Sequence, residues 1–227
     1  MAIETEFTYD MARFISFHDL PACERVRRIR RSELTAHPNP EFRIRIVDES
    51  AGFYRAFADD IVGRIRAARD EGRPFVAILP VGPMPQYELA ARMINEERLS
   101  LAHVHTFNMD EYASEDGVTA PAAWPGSFQR AMLERFFALV DPELLPPESQ
   151  IHFPTTDALS SYSDRIEDLG GADVCYGGIG WCGHIAFWES HLGEEFAGDL
   201  EAYKQAGARL VELHPMTIMQ NALHSFG

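Results

Sequence analysis

The chain has 227 residues, of which 46% are hydrophobic and 24% charged, a composition that indicates a globular protein with a substantial buried core. Its formal net charge of -15 argues against a nucleic-acid partner, because recognition of a phosphate backbone requires a basic surface. Three cysteines without a CxxC pair, and no basic leader or apolar run of about eighteen residues, favour a cytoplasmic protein with no membrane partner.

The predicted elements begin after a mixed N-terminal segment, residues 1–40, which we treat as an extension of the domain. Its basic run, Arg25–Arg31, is interpreted as a solvated helix face rather than a nucleic-acid-binding arm. Charged and apolar residues alternate over Phe42–Val47, which predicts a half-exposed strand. Apolar residues at helical spacing over Phe53–Ala68 predict an amphipathic helix that ends near Gly72.

Strands and helices alternate along the rest of the chain. An apolar strand is predicted over Phe75–Leu79, then a helix through Tyr87, and a strand over His103–Met109. The later predicted elements are a helix capped by Ser127 that runs to Val140, a strand at Ile151–Phe153, a helix at Ala158–Leu169, a strand at Asp173–Tyr176, an acidic helix around Leu200 and Tyr203, and a strand at Arg209–Leu213. This order predicts an α/β fold in which helices cover both faces of a mainly parallel sheet, as one domain over residues 41–227.

Candidate functional residues follow two of the predicted strands, where the ligand crevice of an open α/β sheet lies. After the strand that contains Thr106, the adjacent carboxylates Asp110 and Glu111 point in different directions, so that one can face a ligand while the other is structural. Helix capping or solvation of the pair is the alternative to a role in a functional site. A carboxylate facing the ligand could abstract a proton next to a carbonyl group. The irregular stretch Ala113–Gly126 is either a loop over this site or a plain surface excursion.

The glycine-rich turn Gly177–Gly183 leaves a later strand and delivers a histidine and a glutamate. His184 can move a proton at neutral pH, and Glu189 can orient or polarise it if the turn brings the two together. A purely structural histidine is the alternative. His103 and His105 share one face of a strand, but no third ligand is evident, so we expect no metal site there.

These segments resemble the glucosamine-6-phosphate deaminase (isomerase) family, which is related to the 6-phosphogluconolactonases. The resemblance is strongest at Phe107–Tyr112, at Gly177–Gly180, and at Gly183–Phe187 with Glu189, and it extends in order over about residues 44–221. It implies a Rossmann-like fold of the deaminase/isomerase type and a homo-oligomer without a cofactor or metal. It also implies a small-molecule sugar phosphate as substrate: glucosamine 6-phosphate and water would become fructose 6-phosphate and ammonia.

The resemblance also implies the roles of individual residues. Asp110 corresponds to the base that moves a proton between C2 and C1, His184 to the ring-opening catalyst, and Glu189 to a member of its relay. The positions that it implies for substrate binding are Gly82, Pro83, Met84, Glu111, Gly178, Gly180, Cys182 and Gly183.

Several positions depart from the family pattern. Cys182 stands where the family has the aspartate of Asn-Asp-Gly-His, and we interpret it as an inert thiol rather than a nucleophile. Pro83 and Met84 lack the amide and hydroxyl donors of the family's Thr-Gly-Gly-Thr-Pro loop. Leu223 falls where a phosphate-binding arginine is expected, and the sequence stops before a further lysine and the closing strands. The chain is therefore expected to be either incomplete at Gly227 or a shortened relative.

These departures leave two alternatives to the deaminase reading. One is an isomerase that acts on a different sugar phosphate or on an uncharged sugar, which the altered loop would tolerate better. The other is a non-catalytic sugar-binding or regulatory homologue that retained the scaffold.

Overall fold

The computed structural model describes residues 19–225, so residues 1–18 of the predicted extension and the terminal residues 226–227 lie outside the described residues. The strands are β1 (Phe75–Leu79), β2 (Val104–Asn108), β3 (Ile151–His152) and β4 (Val174–Cys175). The α-helices are α1 (Leu20–Arg27), α2 (Ser50–Asp70), α3 (Pro85–Glu97), α4 (Phe128–Arg135), α5 (Tyr162–Asp168), α6 (Leu200–Lys204) and α7 (Pro215–Ser225). Short 3-10 helices cover Arg31–Glu33, Phe137–Leu139, Pro142–Leu144, Glu148–Gln150, Leu159–Ser161 and Ser190–Phe196.

The four strands form one parallel sheet in the order β3-β2-β1-β4. Leu79 at the end of β1 pairs with Asn108 at the end of β2. The amide of Met109 then donates to the carbonyl oxygen of Leu79 over 2.9 Å. Because the carboxyl ends of parallel strands meet at one edge of the sheet, the segments that follow β1, β2 and β4 leave the sheet on the same side.

Helices cover both faces of the sheet, which confirms the predicted α/β fold. On one face, Phe75, Ala77 and Leu79 of β1 join the main hydrophobic core with α2, α3 and α4. On the other face, Val76 and Phe107 pack against Tyr162 of α5. Successive residues of a strand point to opposite faces, so a fully apolar β1 is what a strand buried on both sides requires.

Most of the predicted helices are confirmed, with changed ends. Helix α2 buries the residues that its periodicity placed on the inner face: Ala58, Ile61, Val62, Ile65 and Ala68. Ser127 caps α4 as predicted, since its Oγ accepts from the amide of Arg130 over 3.2 Å. Helix α4 ends at Arg135 rather than near Val140, because Phe136 leaves the helical region with φ -128° and ψ -70°. The helix predicted at Ala158–Leu169 is split between a 3-10 turn and α5.

Two predicted strands are wrong. Within residues 19–225, neither Phe42–Val47 nor Arg209–Leu213 pairs with another strand. Phe42 is 58% exposed and Leu210 is 55% exposed. An alternating pattern satisfies only the side-chain requirement of a strand, whereas the backbone also needs a neighbouring ladder to bond to.

The basic run near the N-terminus lies on and after α1, where its side chains are exposed to solvent. Arg27 pairs with Glu24 over 2.9 Å on this surface. In the described part of the chain, no helix combines the length and the hydrophobicity needed to cross a lipid bilayer.

Candidate functional site

A cavity of about 670 Å³ opens beyond the carboxyl end of β2. Its walls include Met109–Glu115, Ala186–Trp188 and Ala208–Leu213. Gly117 and Thr119 add part of the irregular stretch that follows β2, and that stretch therefore lies over the cavity rather than away from it. The volume falls within the range of pockets that bind small molecules.

Asp110 is a wall residue of this cavity and has an unusual protonation equilibrium. Burial raises the pKa of its carboxyl to about 7, and the negative charge of the adjacent Glu111 contributes in the same direction. A carboxyl group that titrates near neutral pH can both accept and return a proton under physiological conditions. Asp110 therefore has the position and the acidity of a general base.

The raised pKa of Asp110 predicts a pH-dependent stability. Between the unfolded-state pKa of about 4 and the folded-state pKa of about 7, the folded protein holds a proton that the unfolded chain has released. The contribution of Asp110 to the free energy of unfolding must therefore fall as pH rises through this window, by up to about 1.4 kcal/mol per pH unit. Urea unfolding of the wild type and Asp110→Asn at pH 5 and pH 8 measures it: we expect the variant to gain stability relative to wild type at pH 8. An equal difference between the two proteins at both pH values would contradict the assignment.

Glu111 also lines the cavity, and its carboxylate is bound by donors of the protein itself. Its two carboxylate oxygens accept from the amides of Phe128 and Gln129 over 3.0 Å and 2.7 Å, and from Ser127 Oγ over 2.9 Å. The amide of Tyr112 donates to it as well, over 2.9 Å. A carboxylate at a helix N-terminus satisfies amides that have no partner within the helix and interacts favourably with the helix dipole. Glu111 therefore ties the end of β2 to the start of α4.

This capping role predicts that Glu111→Gln destabilises the protein. A glutamine replaces one acceptor oxygen by a donor, so amides at the start of α4 lose their partners at a cost of about 1–3 kcal/mol. Urea unfolding measures the loss. Glu96→Gln, at an exposed position of α3, is the matched control and should stay within about 0.5 kcal/mol of wild type. Wild-type stability of Glu111→Gln would show that these hydrogen bonds are not formed.

The glycine-rich turn after β4 folds tightly around His184. The amide of Gly180 donates to the carbonyl oxygen of His184 over 3.0 Å, and that of Gly183 donates to the carbonyl oxygen of Gly180 over 3.0 Å. A Cβ atom at Gly180 would overlap the imidazole ring. Gly183 has φ +86°, a conformation that side chains disfavour. Gly180 therefore leaves space for the imidazole of His184 against the backbone, and Gly183 allows the turn that brings it there.

His184 and Glu189 lie together, as the sequence predicted they would if the turn allowed it. His184 Nδ1 is 3.5 Å from Glu189 Oε1, 2.9 Å from Thr217 Oγ1 and 3.0 Å from Cys182 Sγ. Burial lowers the pKa of His184, and the negative charge of Glu189 partly offsets this. The imidazole is therefore favoured in its neutral form, in which one ring nitrogen donates and the other accepts.

Glu189 is almost fully buried and is fixed by the segment before α7. Its Oε2 accepts from the backbone amide of His214, and His191 Nδ1 lies 3.5 Å from the same oxygen. Thr217, in the first turn of α7, has 0% exposure and contacts both Cys182 and His184. Sequence analysis missed His214 and Thr217, because neither lies in a recognisable motif and Thr217 is 33 residues from His184.

The structure brings some of the predicted site residues together and leaves others apart. Asp110 and Glu111 line the cavity, whereas the described lining does not include His184 or Cys182. Phe187 belongs to the cavity lining and is also close to His184, since the two ring centroids are 5.5 Å apart. The remaining predicted binding residues are also absent from the described lining: Gly82, Pro83, Met84, Gly178, Gly180 and Gly183.

Comparisons with known proteins agree with this architecture. No model of a known protein family matches the sequence. A glucosamine-6-phosphate deaminase of Tolumonas auensis is 38% identical over 124 residues, which cover 52% of this chain and 44% of the relative. One of Haemophilus influenzae is 35% identical over 139 residues, covering 58% and 49%. The chain is similar in sequence to glucosamine-6-phosphate deaminases over just over half of its own length. It spans about half the length of these curated relatives.

A solved structure shares the fold of this chain. It is described as a monomeric glucosamine-6-phosphate deaminase, and it superposes with a TM-score of 0.62 over 78% of this chain and 68% of its own. Its sequence identity to this chain is 23%, so the likeness is one of fold.

The cavity of this chain contains a cationic side chain that sequence analysis did not single out. Among the described lining residues, Arg209 is the one lysine or arginine. Its guanidinium lies 4.8 Å from the ring centroid of Trp188, and its Nη2 is 2.8 Å from Glu195 Oε2. Leu223, where an arginine was expected from the resemblance, is 57% exposed on α7. Arg209 is therefore the cation to consider for an anionic ligand.

The residues predicted in the loop before α3, and the two histidines at positions 103 and 105, lie outside the described lining of the cavity. Met84, half-buried at the start of α3, packs against the main core, while Gly82 and Pro83 are exposed. His103 Nε2 is 3.0 Å from the carbonyl oxygen of Ile65, and His105 Nε2 is 2.9 Å from Gln150 Nε2. His103, just before β2, and His105, within it, thus contact different groups.

Proposed function

We propose that the chain is an amino-sugar-phosphate isomerase and deaminase, which converts glucosamine 6-phosphate and water into fructose 6-phosphate and ammonia. The observation that carries the proposal is Asp110, a carboxyl group with a pKa of about 7 in the wall of a cavity at the end of a parallel strand. The partial sequence match to curated glucosamine-6-phosphate deaminases supports the choice of reaction.

The chemistry requires one base next to C2 of the open-chain sugar. Asp110 would remove the C2 proton, and the electron pair of that bond would form the C1–C2 double bond of an enolamine. The π pair of the C1 carbonyl would move to its oxygen, which takes up a proton. Return of a proton to C1 gives the imine of the ketose, and water then replaces the imine nitrogen and releases ammonia. General acid–base steps of this kind each contribute about 10²–10⁴-fold to a rate.

Ring opening would fall to His184, supported by Glu189. A neutral imidazole can take the proton of the C1 hydroxyl and return one to the ring oxygen, and burial keeps His184 in this neutral form. Glu189 Oε1, 3.5 Å from Nδ1, would stabilise the imidazolium that forms in between. The proposal requires the sugar to reach His184, which is not among the described lining residues of the cavity but whose ring lies 5.5 Å from that of the lining residue Phe187.

The phosphate group would be held by Arg209. A guanidinium binds phosphate through paired hydrogen bonds, and the cation–π contact with Trp188 fixes its orientation. Arg209 already pairs with Glu195, so an anionic ligand must compete with that carboxylate. This pairing favours a second candidate function, an isomerase that acts on an uncharged sugar.

We also propose a homo-oligomer, as the resemblance implies, in the cytoplasm and without a nucleic-acid partner, as the cysteine content and the net charge of -15 favour. The solved structure of similar fold is described as monomeric. Light scattering on the purified chain measures its molar mass and decides between the two states.

The proposed function is tested by the release of ammonia and of fructose 6-phosphate from glucosamine 6-phosphate, with glucosamine assayed in parallel. Stoichiometric release of both products from the phosphorylated sugar is expected. Turnover of glucosamine alone would favour the uncharged-sugar isomerase. Saturable calorimetric binding of either sugar without turnover would favour a non-catalytic homologue and sink the deaminase.

A further inference from the structure

The proposed reaction does not use the thiol of Cys182, which lies against the imidazole of His184. Its Sγ is 3.0 Å from His184 Nδ1 and 3.9 Å from Glu189 Oε1, and the nitrogen and oxygen are 3.5 Å apart. A sulfur, a nitrogen and an oxygen therefore lie at the corners of a small triangle. Cys182 is half-buried, whereas His184 and Glu189 are buried.

The size of this triangle matches the coordination shell of a metal ion. With sides of these lengths, one point in the plane of the triangle lies about 2 Å from all three donor atoms. Zinc binds sulfur at about 2.3 Å, nitrogen at about 2.0–2.1 Å and carboxylate oxygen at about 2.0–2.2 Å. An ion slightly above the plane of the triangle would reach all three distances without a rearrangement of the turn.

The chemistry of the donors selects the ion. Magnesium and calcium prefer shells made of oxygen atoms, whereas thiolate and imidazole donors favour zinc and other divalent transition ions. We propose that Cys182 Sγ, His184 Nδ1 and Glu189 Oε1 form a binding site for Zn²⁺. On binding, the thiol of Cys182 releases its proton to solvent, and the sulfur binds as a thiolate. The site differs from the sequence expectation of no metal, which rested on the resemblance alone.

The surroundings of the three donors restrict their movement. Glu189 Oε2 accepts from the amide of His214, which directs the other carboxylate oxygen toward His184. Hydrogen bonds around a metal ligand in this way fix its orientation and raise affinity. Thr217 Oγ1, 2.9 Å from His184 Nδ1 and 3.2 Å from Cys182 Sγ, stands next to the fourth position, which it or a water molecule fills. The exposed Gly183 leaves the turn open to solvent for entry of the ion.

Zinc at this site has a consequence for turnover, and that consequence rests on the proposed function. The ion occupies His184 Nδ1 and Glu189 Oε1, so the carboxylate no longer stabilises a protonated imidazole. Zinc is therefore an inhibitor of the proposed deamination rather than its cofactor. Binding of the ion itself does not depend on which reaction the chain catalyses.

Cobalt(II) titration of the purified full-length chain tests the site directly, because a thiolate ligand gives Co²⁺ an intense charge-transfer band in the near ultraviolet. The wild type should show this band with one ion per chain, and Zn²⁺ should displace it. Cys182→Ser should abolish the band and weaken Zn²⁺ binding at least tenfold. Cys175→Ser is the matched control: its thiol is free and exposed on β4, and the variant should keep the band and wild-type affinity.

Glu189→Gln, which keeps the side-chain volume, provides a second variant and should also weaken Zn²⁺ binding at least tenfold. Far-ultraviolet circular dichroism establishes that each variant is folded. No thiolate band in the wild type, or a band that persists in Cys182→Ser, would overturn the proposal. The titration contains no sugar, so a chain that binds the ion without releasing ammonia keeps the metal site and loses the deaminase. A chain that releases ammonia but shows no thiolate band keeps the deaminase proposal and loses the metal site.

Discussion

Asp110→Asn should lower the turnover of glucosamine 6-phosphate by about 10²–10⁴-fold, since an amide cannot accept the C2 proton. The substitution keeps the shape of the side chain in the cavity wall, so substrate affinity should change by less than a few-fold. Steady-state assays of ammonia release give kcat and KM for both proteins.

The matched control for this substitution is Asp116→Asn. Asp116 is exposed in the same irregular stretch but is not among the described lining residues of the cavity. Its variant should keep kcat within about twofold of wild type, as expected for a surface position. A higher KM with unchanged kcat in Asp110→Asn would assign Asp110 to substrate binding rather than to proton transfer.

Gly180→Ala should disable the site from a position that carries no functional group. The new Cβ atom would overlap the imidazole of His184, which must move away from its place between the turn and Glu189. A displacement of about 1 Å is enough to cost a catalytic group about 10²-fold in rate. The overlap should also reduce the free energy of unfolding by about 1–3 kcal/mol, as for other overpacked positions.

Gly178→Ala is the matched control in the same turn, because a Cβ atom there meets no atom within 4 Å. Assays of kcat and urea unfolding of both variants separate a steric effect at His184 from a general loss of glycine flexibility. Equal losses in the two variants would contradict the geometry of the turn, as would wild-type turnover by Gly180→Ala.

The elements that local sequence predicted well are those that are defined by their own residues. The apolar run of β1 and the periodicity of α2 are written within short segments, and both elements form as predicted. The strands predicted at Phe42–Val47 and Arg209–Leu213 failed because a strand also requires a partner elsewhere in the chain. Residues Arg209–Leu213, which do not form a strand, instead form part of the cavity wall.

The candidate site likewise combines features that local sequence predicts with contacts between residues far apart in the chain. Asp110 was predictable, since it follows a strand at the edge where ligands bind, and so was the closeness of His184 and Glu189 within one turn. The capping of α4 by Glu111 joins residues 16 to 18 positions apart, and the contact of Thr217 with Cys182 joins residues 35 apart. Contacts at these separations depend on the packing of α4 and α7, which local patterns do not specify.

Glucosamine 6-phosphate that carries deuterium at C2 shows whether Asp110 breaks the bond between C2 and hydrogen. Deuterium NMR follows the label during incubation with the wild type and with Asp110→Asn. The wild type should remove deuterium from C2, with the label appearing at C1 of the ketose or in water, and the variant should leave it in place. Retention of deuterium at C2 by folded wild-type protein would mean that Asp110 does not break this bond.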